Sequence, residues 1–216
     1  FLDWVVYEGL LEQNPWRTVR FEQKVKRASY AVPTDEEVQA LIEDRASEIY
    51  PMLMLCLLSG MRSGEAVGLD AADVVTKGNL GRFFHVRPNA QRLLKTDAAE
   101  RHVPVHSALL PILDRLPREG RLFPELDVNL VTKRFAAMRS RLKLNRPGLV
   151  FHSTRKWFIT QCERTGVPEH FTASLVGHSS ARSENGITYS IYSAGIGDDQ
   201  KRQIVDQIRL PERGTP

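Results

Sequence analysis

The sequence predicts an α+β fold, mainly α-helical with one small antiparallel β-sheet. Three observations support this class. Apolar residues recur at helical spacing through most of the chain. Residues 52–58 are apolar on every side, as in a buried central helix. Strand-like residues between turn-prone clusters are confined to residues 80–105.

The first helix of the compact domain is predicted to begin at Thr34. Thr34 and Glu37 have the spacing of a capping box, in which each side chain accepts a hydrogen bond from the backbone N–H of the other residue. The next helix is the apolar segment 52–58, and Gly60 ends it. The apolar stripe of the first helix consists of Val38, Leu41 and Ile42.

The predicted sheet has strands at residues 80–87, 91–95 and 101–105. Residues 96–99 are turn-prone, which puts Lys95 at the tip of a hairpin.

Further helices are predicted after residue 106, from apolar spacing over residues 109–116, 131–142, 157–162 and 171–176. Gly166 is placed to end the third of them, and Pro168 to open the fourth. Residues 198–208 are predicted as a polar, weakly amphipathic terminal helix.

Composition favours an intracellular protein with a polyanionic partner. The net charge is +4, but lysine and arginine are concentrated over residues 20–27, 115–121 and 133–143. Cys56 and Cys162 have no C-x-x-C partner, so neither a disulfide framework nor a zinc site is predicted. The longest apolar run is far shorter than the roughly 20 residues of a membrane helix, and no signal peptide is recognised.

Four short segments carry the chemistry. They are Gly-Met-Arg-Ser-Gly-Glu at 60–65, Lys-Thr at 95–96 before the strand 101–105, His-Ser-Thr-Arg at 152–155, and Gly-His at 177–178 with tyrosines downstream. His152 and Arg155 lie on one helical face. Arg155 is in the first turn of its helix, where the N–H groups and the helix dipole favour an anion. Paired guanidiniums suit a phosphodiester, whose negative charge must be neutralised during reaction.

In order and spacing, these segments resemble the signature boxes of the tyrosine recombinases, the phage integrase family. The resemblance implies the catalytic-domain fold of the DNA breaking-rejoining enzymes over residues 33–216. Residues 1–32 resemble the end of the family's core-binding domain plus a linker. The helix at 198–208 is then a candidate for docking on a neighbouring protomer.

The resemblance also implies roles for the site residues. Arg62 and Arg155 neutralise the phosphate, and His178 is a third donor to it. His152 accepts or relays the proton of a tyrosine nucleophile, while Lys95 protonates the leaving 5′ oxygen as a general acid. Glu65 orients its neighbours. Contacts with DNA are expected from Lys133, Arg134 and Thr154.

The nucleophile is predicted to be Tyr192, with Tyr189 as the alternative. The spacing from His178 is longer than is common in the family, and Tyr189 is the nearer tyrosine. However, residues 182–186 look like a loop insertion. The segment 187–193 is similar to the family's ending, in which a threonine and a second ring precede the reactive tyrosine.

The predicted function is site-specific DNA recombination through a 3′-phosphotyrosyl intermediate, which integrates or excises a phage or mobile element without metal or cofactor. The expected partners are double-stranded DNA attachment sites, a homotetramer on DNA, and accessory DNA-bending or directionality factors, with no membrane. The isolated domain is expected to be monomeric, and the location is the bacterial cytoplasm, at the nucleoid. The alternatives are relaxation of supercoils, as by a type IB topoisomerase, and a non-cleaving DNA-binding or architectural module.

Overall fold

The computed structural model describes residues 1–17, 19, 29–89, 100–177 and 196–212. In these residues helices dominate and accompany one three-stranded antiparallel sheet, which confirms the predicted fold class. The helices are α1 (Leu2–Tyr7), α2 (Asp35–Glu43), α3 (Tyr50–Ser59), α4 (Ser63–Val67), α5 (Leu110–Leu113), α6 (Val128–Arg141), α7 (Ser153–Arg164), α8 (Glu169–Val176) and α9 (Asp198–Gln207). The strands are β1 (Val74–Thr76), β2 (Arg82–Val86) and β3 (Arg101–Pro104).

Helix α3 is the centre of the core, as predicted. Its residues from 52 to 59 are all buried, and it packs against α2, α4 and α7. It ends at Gly60 in the left-handed conformation, with φ of 65°. A Cβ at this position would lie 2.5 Å from Cδ1 of Phe158, so glycine also permits the close approach of α7.

Helix α2 begins with the predicted capping box. The Thr34 hydroxyl accepts from the backbone N–H of Glu37 at 3.2 Å, and the Glu37 carboxylate accepts from the N–H of Thr34 at 2.8 Å. In contrast, α1 buries none of its side chains. The compact core therefore starts near residue 33, while the relation of residues 1–32 to a separate domain stays a prediction.

The sheet differs in part from the prediction. Strands β2 and β3 pair antiparallel, with Val86 opposite Arg101, which confirms the predicted antiparallel sheet. The prediction that strands are confined to residues 80–105 is wrong, because β1 pairs with the other side of β2. At three residues β1 is too short to show a period of two. The predicted strand 91–95, including Lys95, lies outside the described residues.

Helix α9 packs on β3 of its own chain. Val205 and Ile208 are fully buried, and Arg202 Nη1 donates to the carbonyl of Val105 at 2.8 Å. Asp198, at the start of the helix, forms a salt bridge with Lys77. The apolar side of this helix thus belongs to the core of one protomer, and its docking on a neighbour stays a prediction.

No helix in the described ranges is both long enough and apolar enough to cross a membrane.

Candidate functional site

Arg155 is the most buried charge of the site. It lies in the first turn of α7 with 1% of its surface exposed. Its Nη1 donates to the carbonyl of Gly60 at 2.7 Å, which ties α7 to the end of α3. Among the residues described, Nη2 is buried without a hydrogen-bond partner. A buried donor left unsatisfied costs about 1–3 kcal/mol, a cost that an anion bound there would remove.

The electrostatic environment of Arg155 also favours a bound anion. Burial lowers the pKa of its guanidinium to about 9, and the positive charge of Arg62 contributes further. The group is still protonated at neutral pH. Because the helix dipole at the start of α7 also favours negative charge, the position suits a phosphate.

Arg62 lies at the start of α4 and is fixed by Glu65. The Glu65 carboxylate accepts from the backbone N–H of Arg62 at 2.9 Å and from its Nη1 at 2.7 Å. The side chain of Arg62 is 37% exposed, so an incoming ligand can reach it. An orienting role for Glu65 requires such contacts, because they hold the backbone and the guanidinium of Arg62 in place.

Arg101 is a buried member of the cluster that the sequence analysis missed. Its Nη2 donates to the second carboxylate oxygen of Glu65 at 2.9 Å, and its Nε donates to the carbonyl of Leu175 at 2.7 Å. A Cβ on Gly177 would lie 2.8 Å from Nη1. Arg101 therefore joins β3 to α4 and to the end of α8.

The cluster has an excess of positive charge. Burial alone would raise the pKa of Glu65, but Arg101 and Arg62 outweigh it and hold the pKa at about 2. Among the described residues, the Glu65 carboxylate stands among the guanidiniums of Arg62, Arg101 and Arg155, so positive charges outnumber it. Two of these arginines, Arg62 and Arg155, are the ones expected to bind phosphate.

His152 caps the N-terminal end of α7 and is exposed on one side. Burial of the remainder lowers the pKa of its imidazole, and the charges of Arg155, Arg62 and Lys156 lower it further. The ring is therefore largely neutral at neutral pH, and one of its nitrogens can accept a proton. The Tyr30 ring stands edge-on to the imidazole, with ring centroids 5.6 Å apart.

The structure brings Arg62, Glu65, His152 and Arg155 together. Helix α8 ends at Gly177 in the left-handed conformation, and Nη2 of Arg62 donates to its carbonyl at 3.4 Å. The described chain thus reaches the cluster one residue before His178. Lys95, His178, Tyr189 and Tyr192 themselves lie outside the described residues.

The predicted DNA contacts have different surroundings. Lys133 is exposed on α6, whereas Arg134 forms a 2.7 Å salt bridge with Glu48. Thr154 is 2% exposed, and its hydroxyl donates to the carbonyl of Phe151 at 2.8 Å. The Thr154 contact stabilises the start of α7, and the DNA contacts of these three residues stay a prediction.

A metal site was not predicted. The described part of the chain has no group of three or more His, Cys, Asp and Glu side chains suited to holding a metal ion.

Comparison with known proteins identifies relatives of this arrangement. The profile of the phage integrase family matches residues 32–192. An integrase from mycobacterium phage Brujita is similar over 100% of this chain and 70% of its own, with 20% identity and a TM-score of 0.60. No match was found among curated protein sequences.

Two DNA complexes have the same fold. A lambda integrase dimer bound to a COC' core site is similar over 82% of this chain and 67% of its own, with 18% identity and a TM-score of 0.60. The Tn1549 transposon integrase in complex with transposon right end DNA is similar over 94% of this chain and 74% of its own, with 13% identity and a TM-score of 0.61.

Proposed function

Because the chain belongs to the phage integrase family, we propose that it cleaves and rejoins DNA strands at specific sites through a 3′-phosphotyrosyl intermediate. The family and the fold support site-specific recombination. The covalent intermediate, the residues that form it, and a role in integrating or excising a phage or mobile element are the proposal.

The observation that carries the proposal is the surroundings of Arg155. A buried guanidinium with an unsatisfied Nη2 stands at a helix N-terminus, in a cluster where Glu65 is already shared by two other arginines. Such a site binds an anion whose oxygens accept several hydrogen bonds. The scissile phosphate of DNA fits, because its charge grows toward the pentacoordinate transition state and fixed guanidiniums then stabilise it most.

In the proposed reaction, the phenol oxygen of Tyr192 attacks phosphorus. His152 accepts or relays the phenol proton, and its lowered pKa keeps the imidazole neutral for that purpose. The bond from phosphorus to the 5′ oxygen breaks, and Lys95 protonates the departing oxygen. Arg62, Arg155 and His178 neutralise the non-bridging oxygens.

The product is a 3′-phosphotyrosyl ester and a free 5′ hydroxyl. Attack by the 5′ hydroxyl of another strand reverses the step with the proton transfers exchanged, so no external energy source is needed. Tyr189 stays the alternative nucleophile. The proposed setting is double-stranded attachment-site DNA in the bacterial cytoplasm at the nucleoid, with a homotetramer assembled there and accessory bending or directionality factors. The isolated domain is expected to be a monomer.

The test is covalent trapping. Duplexes that bind the chain are first selected from a randomised pool, and a nick is then placed near each candidate cleavage position so that the cut fragment diffuses away. Wild type, Tyr192→Phe and Tyr189→Phe are incubated with this DNA in EDTA, denatured, and resolved on a gel.

An adduct that only Tyr192→Phe abolishes supports both the chemistry and the nucleophile. Loss only in Tyr189→Phe reverses the assignment. Binding without an adduct in wild type contradicts the proposal and favours a non-cleaving module. An adduct together with supercoil relaxation, but without exchange between two duplexes, favours a topoisomerase.

A further inference from the structure

Residues 29–32, which precede α2, are bound along the segment that leads into α7. Lys156 Nζ donates to the Ser29 hydroxyl at 2.9 Å and to the Tyr30 carbonyl at 2.6 Å. The backbone N–H of Ala31 donates to the carbonyl of Gly148 at 2.8 Å. These contacts fix the backbone on both sides of Tyr30.

The approach of the two segments is close enough to require glycine at position 148. Gly148 has φ of 80°, and a Cβ there would lie 3.1 Å from the backbone nitrogen of Ala31 and 3.3 Å from the carbonyl oxygen of Ser29. Arg146 continues the attachment, since its Nη2 donates to the carbonyl of Val32 at 2.7 Å. Residues 29–32, the entry strap, are thus held by backbone contacts as well as by side chains.

The entry strap places one aromatic ring against the site. The Tyr30 ring meets the His152 imidazole at an interplanar angle of 61°, and about half of the Tyr30 side chain is exposed. His152 caps α7 without a capping hydrogen bond from its side chain. The Tyr30 ring thus packs edge-on against an imidazole that is itself exposed.

We infer that Tyr30 is a positioning residue for His152, and that Lys156 sets the position of Tyr30 by holding the entry strap on α7. This inference rests on the proposed function, in which His152 handles the nucleophile's proton. It follows that a change in the position of the entry strap changes the orientation of His152.

The proposed restraint on His152 comes from the ring of Tyr30 rather than from its hydroxyl. Proton transfer needs the imidazole nitrogen within hydrogen-bond reach of the phenol, and misplacement by about 1 Å can cost on the order of 100-fold in rate. An unrestrained imidazole would spend only part of its time in the reactive orientation. We therefore expect removal of the ring to slow the chemical step and to leave DNA affinity unchanged.

The first measurement needs no DNA. The Cε1–H resonances of the 6 histidines are recorded by NMR, and the His152 signal is identified from its loss in His152→Gln. In Tyr30→Ala, the His152 signal should move more than that of any other histidine. Tyr30→Phe should leave it in place. Lys156→Met should move it in the same direction by a smaller amount when the spectra are recorded at a pH where His152 is neutral, so that loss of the Lys156 charge does not alter its protonation. An unmoved His152 signal in Tyr30→Ala overturns the inference.

The second measurement is the single-turnover rate of adduct formation at saturating protein, with the dissociation constant for the same duplex measured in parallel. Tyr30→Ala should lower the rate at least 10-fold with a dissociation constant within about twofold of wild type, and Tyr30→Phe should restore the rate. The control is Tyr7→Ala, which removes an exposed tyrosine of α1.

Two results would overturn the inference here. A slow rate in Tyr30→Phe would assign the effect to the hydroxyl, and a loss of affinity that accounts for the whole effect would make Tyr30 a DNA contact. If wild type forms no adduct, the proposed function fails, and the NMR measurement still decides whether the Tyr30 ring packs against His152 in solution.

Discussion

Replacement of Arg101 by methionine should make the domain easier to unfold, because it removes a buried guanidinium that is paired with the buried carboxylate of Glu65. Arg101 is the first of the charged partners that hold the Glu65 pKa at about 2 rather than 4.5. At about 1.4 kcal/mol per pKa unit, a shift of that size corresponds to about 3 kcal/mol. The mutation also removes the hydrogen bond to the carbonyl of Leu175.

Removal of one partner from a buried ion pair costs about 3–5 kcal/mol, and we expect Arg101→Met to fall in that range at pH 7. The assay is urea denaturation followed by circular dichroism. The matched control is Arg82→Met on the neighbouring strand β2. Arg82 forms a 2.8 Å ion pair with Asp114, and the two side chains are 41% and 57% exposed, respectively. An exposed pair of this kind contributes about 0–1 kcal/mol.

The pH dependence separates the charge from simple loss of packing. Without Arg101, the Glu65 pKa rises and the carboxyl becomes protonated in the folded state at a higher pH than in wild type. The difference between Arg101→Met and wild type should therefore shrink as pH falls from 7 to 4. If Arg101→Met costs no more than Arg82→Met, or if its cost is independent of pH, the buried charge cluster does not contribute as described.

Three further predictions concern stability. Gly60→Ala should lower the free energy of unfolding by about 3 kcal/mol in urea, because it combines positive φ with a 2.5 Å contact to Phe158. The control Gly166→Ala, with positive φ but open space around the Cβ, should lower it by about 1–2 kcal/mol. Equal losses in the two variants would contradict the close approach of α7. Thr34→Ala should cost about 1 kcal/mol through loss of the N-cap bond, with a shift in the urea midpoint as the readout. Stability should also fall as pH drops below about 6.5, because burial lowers the folded pKa of His106, so the unfolded state binds protons first. His106 Nδ1 accepts a hydrogen bond from the N–H of Ala108, and protonation of the ring breaks this bond. His106→Asn should therefore weaken the dependence of unfolding free energy on pH. An unchanged dependence would contradict the role of His106.

Much of the fold could be predicted because local signals and the core agree. The structure confirms three features that follow from local sequence. They are the capping box at Thr34, the burial of the apolar helix α3, and the end of that helix at Gly60. Strand β1 was missed because three residues show no alternation, and its pairing with β2 depends on partners distant in sequence.

Apart from Glu65, the site was predicted from residues that react, and other residues that support them were missed. Arg101 has the same two-residue spacing as Val103 within β3 and Val105 just after it, and this spacing places its charge on the apolar face. That signal was present in the sequence, and it indicates a buried ion pair, although not its partner. The contact between Tyr30 and His152 carries no local signal, because it depends on how the entry strap crosses the segment before α7.

The most direct test of the central claim compares adduct formation on two DNA duplexes that differ only in the scissile linkage, an ordinary phosphate or an uncharged methylphosphonate. If Arg155 acts by neutralising the phosphate, Arg155→Ala should lose about 100- to 1,000-fold in rate on the phosphate and far less on the methylphosphonate. Arg164→Ala, which alters an exposed arginine of the same helix, should match wild type on both. An equal loss on both duplexes for Arg155→Ala would show that Arg155 supports the fold rather than the charge of the reacting phosphate, and would contradict the account.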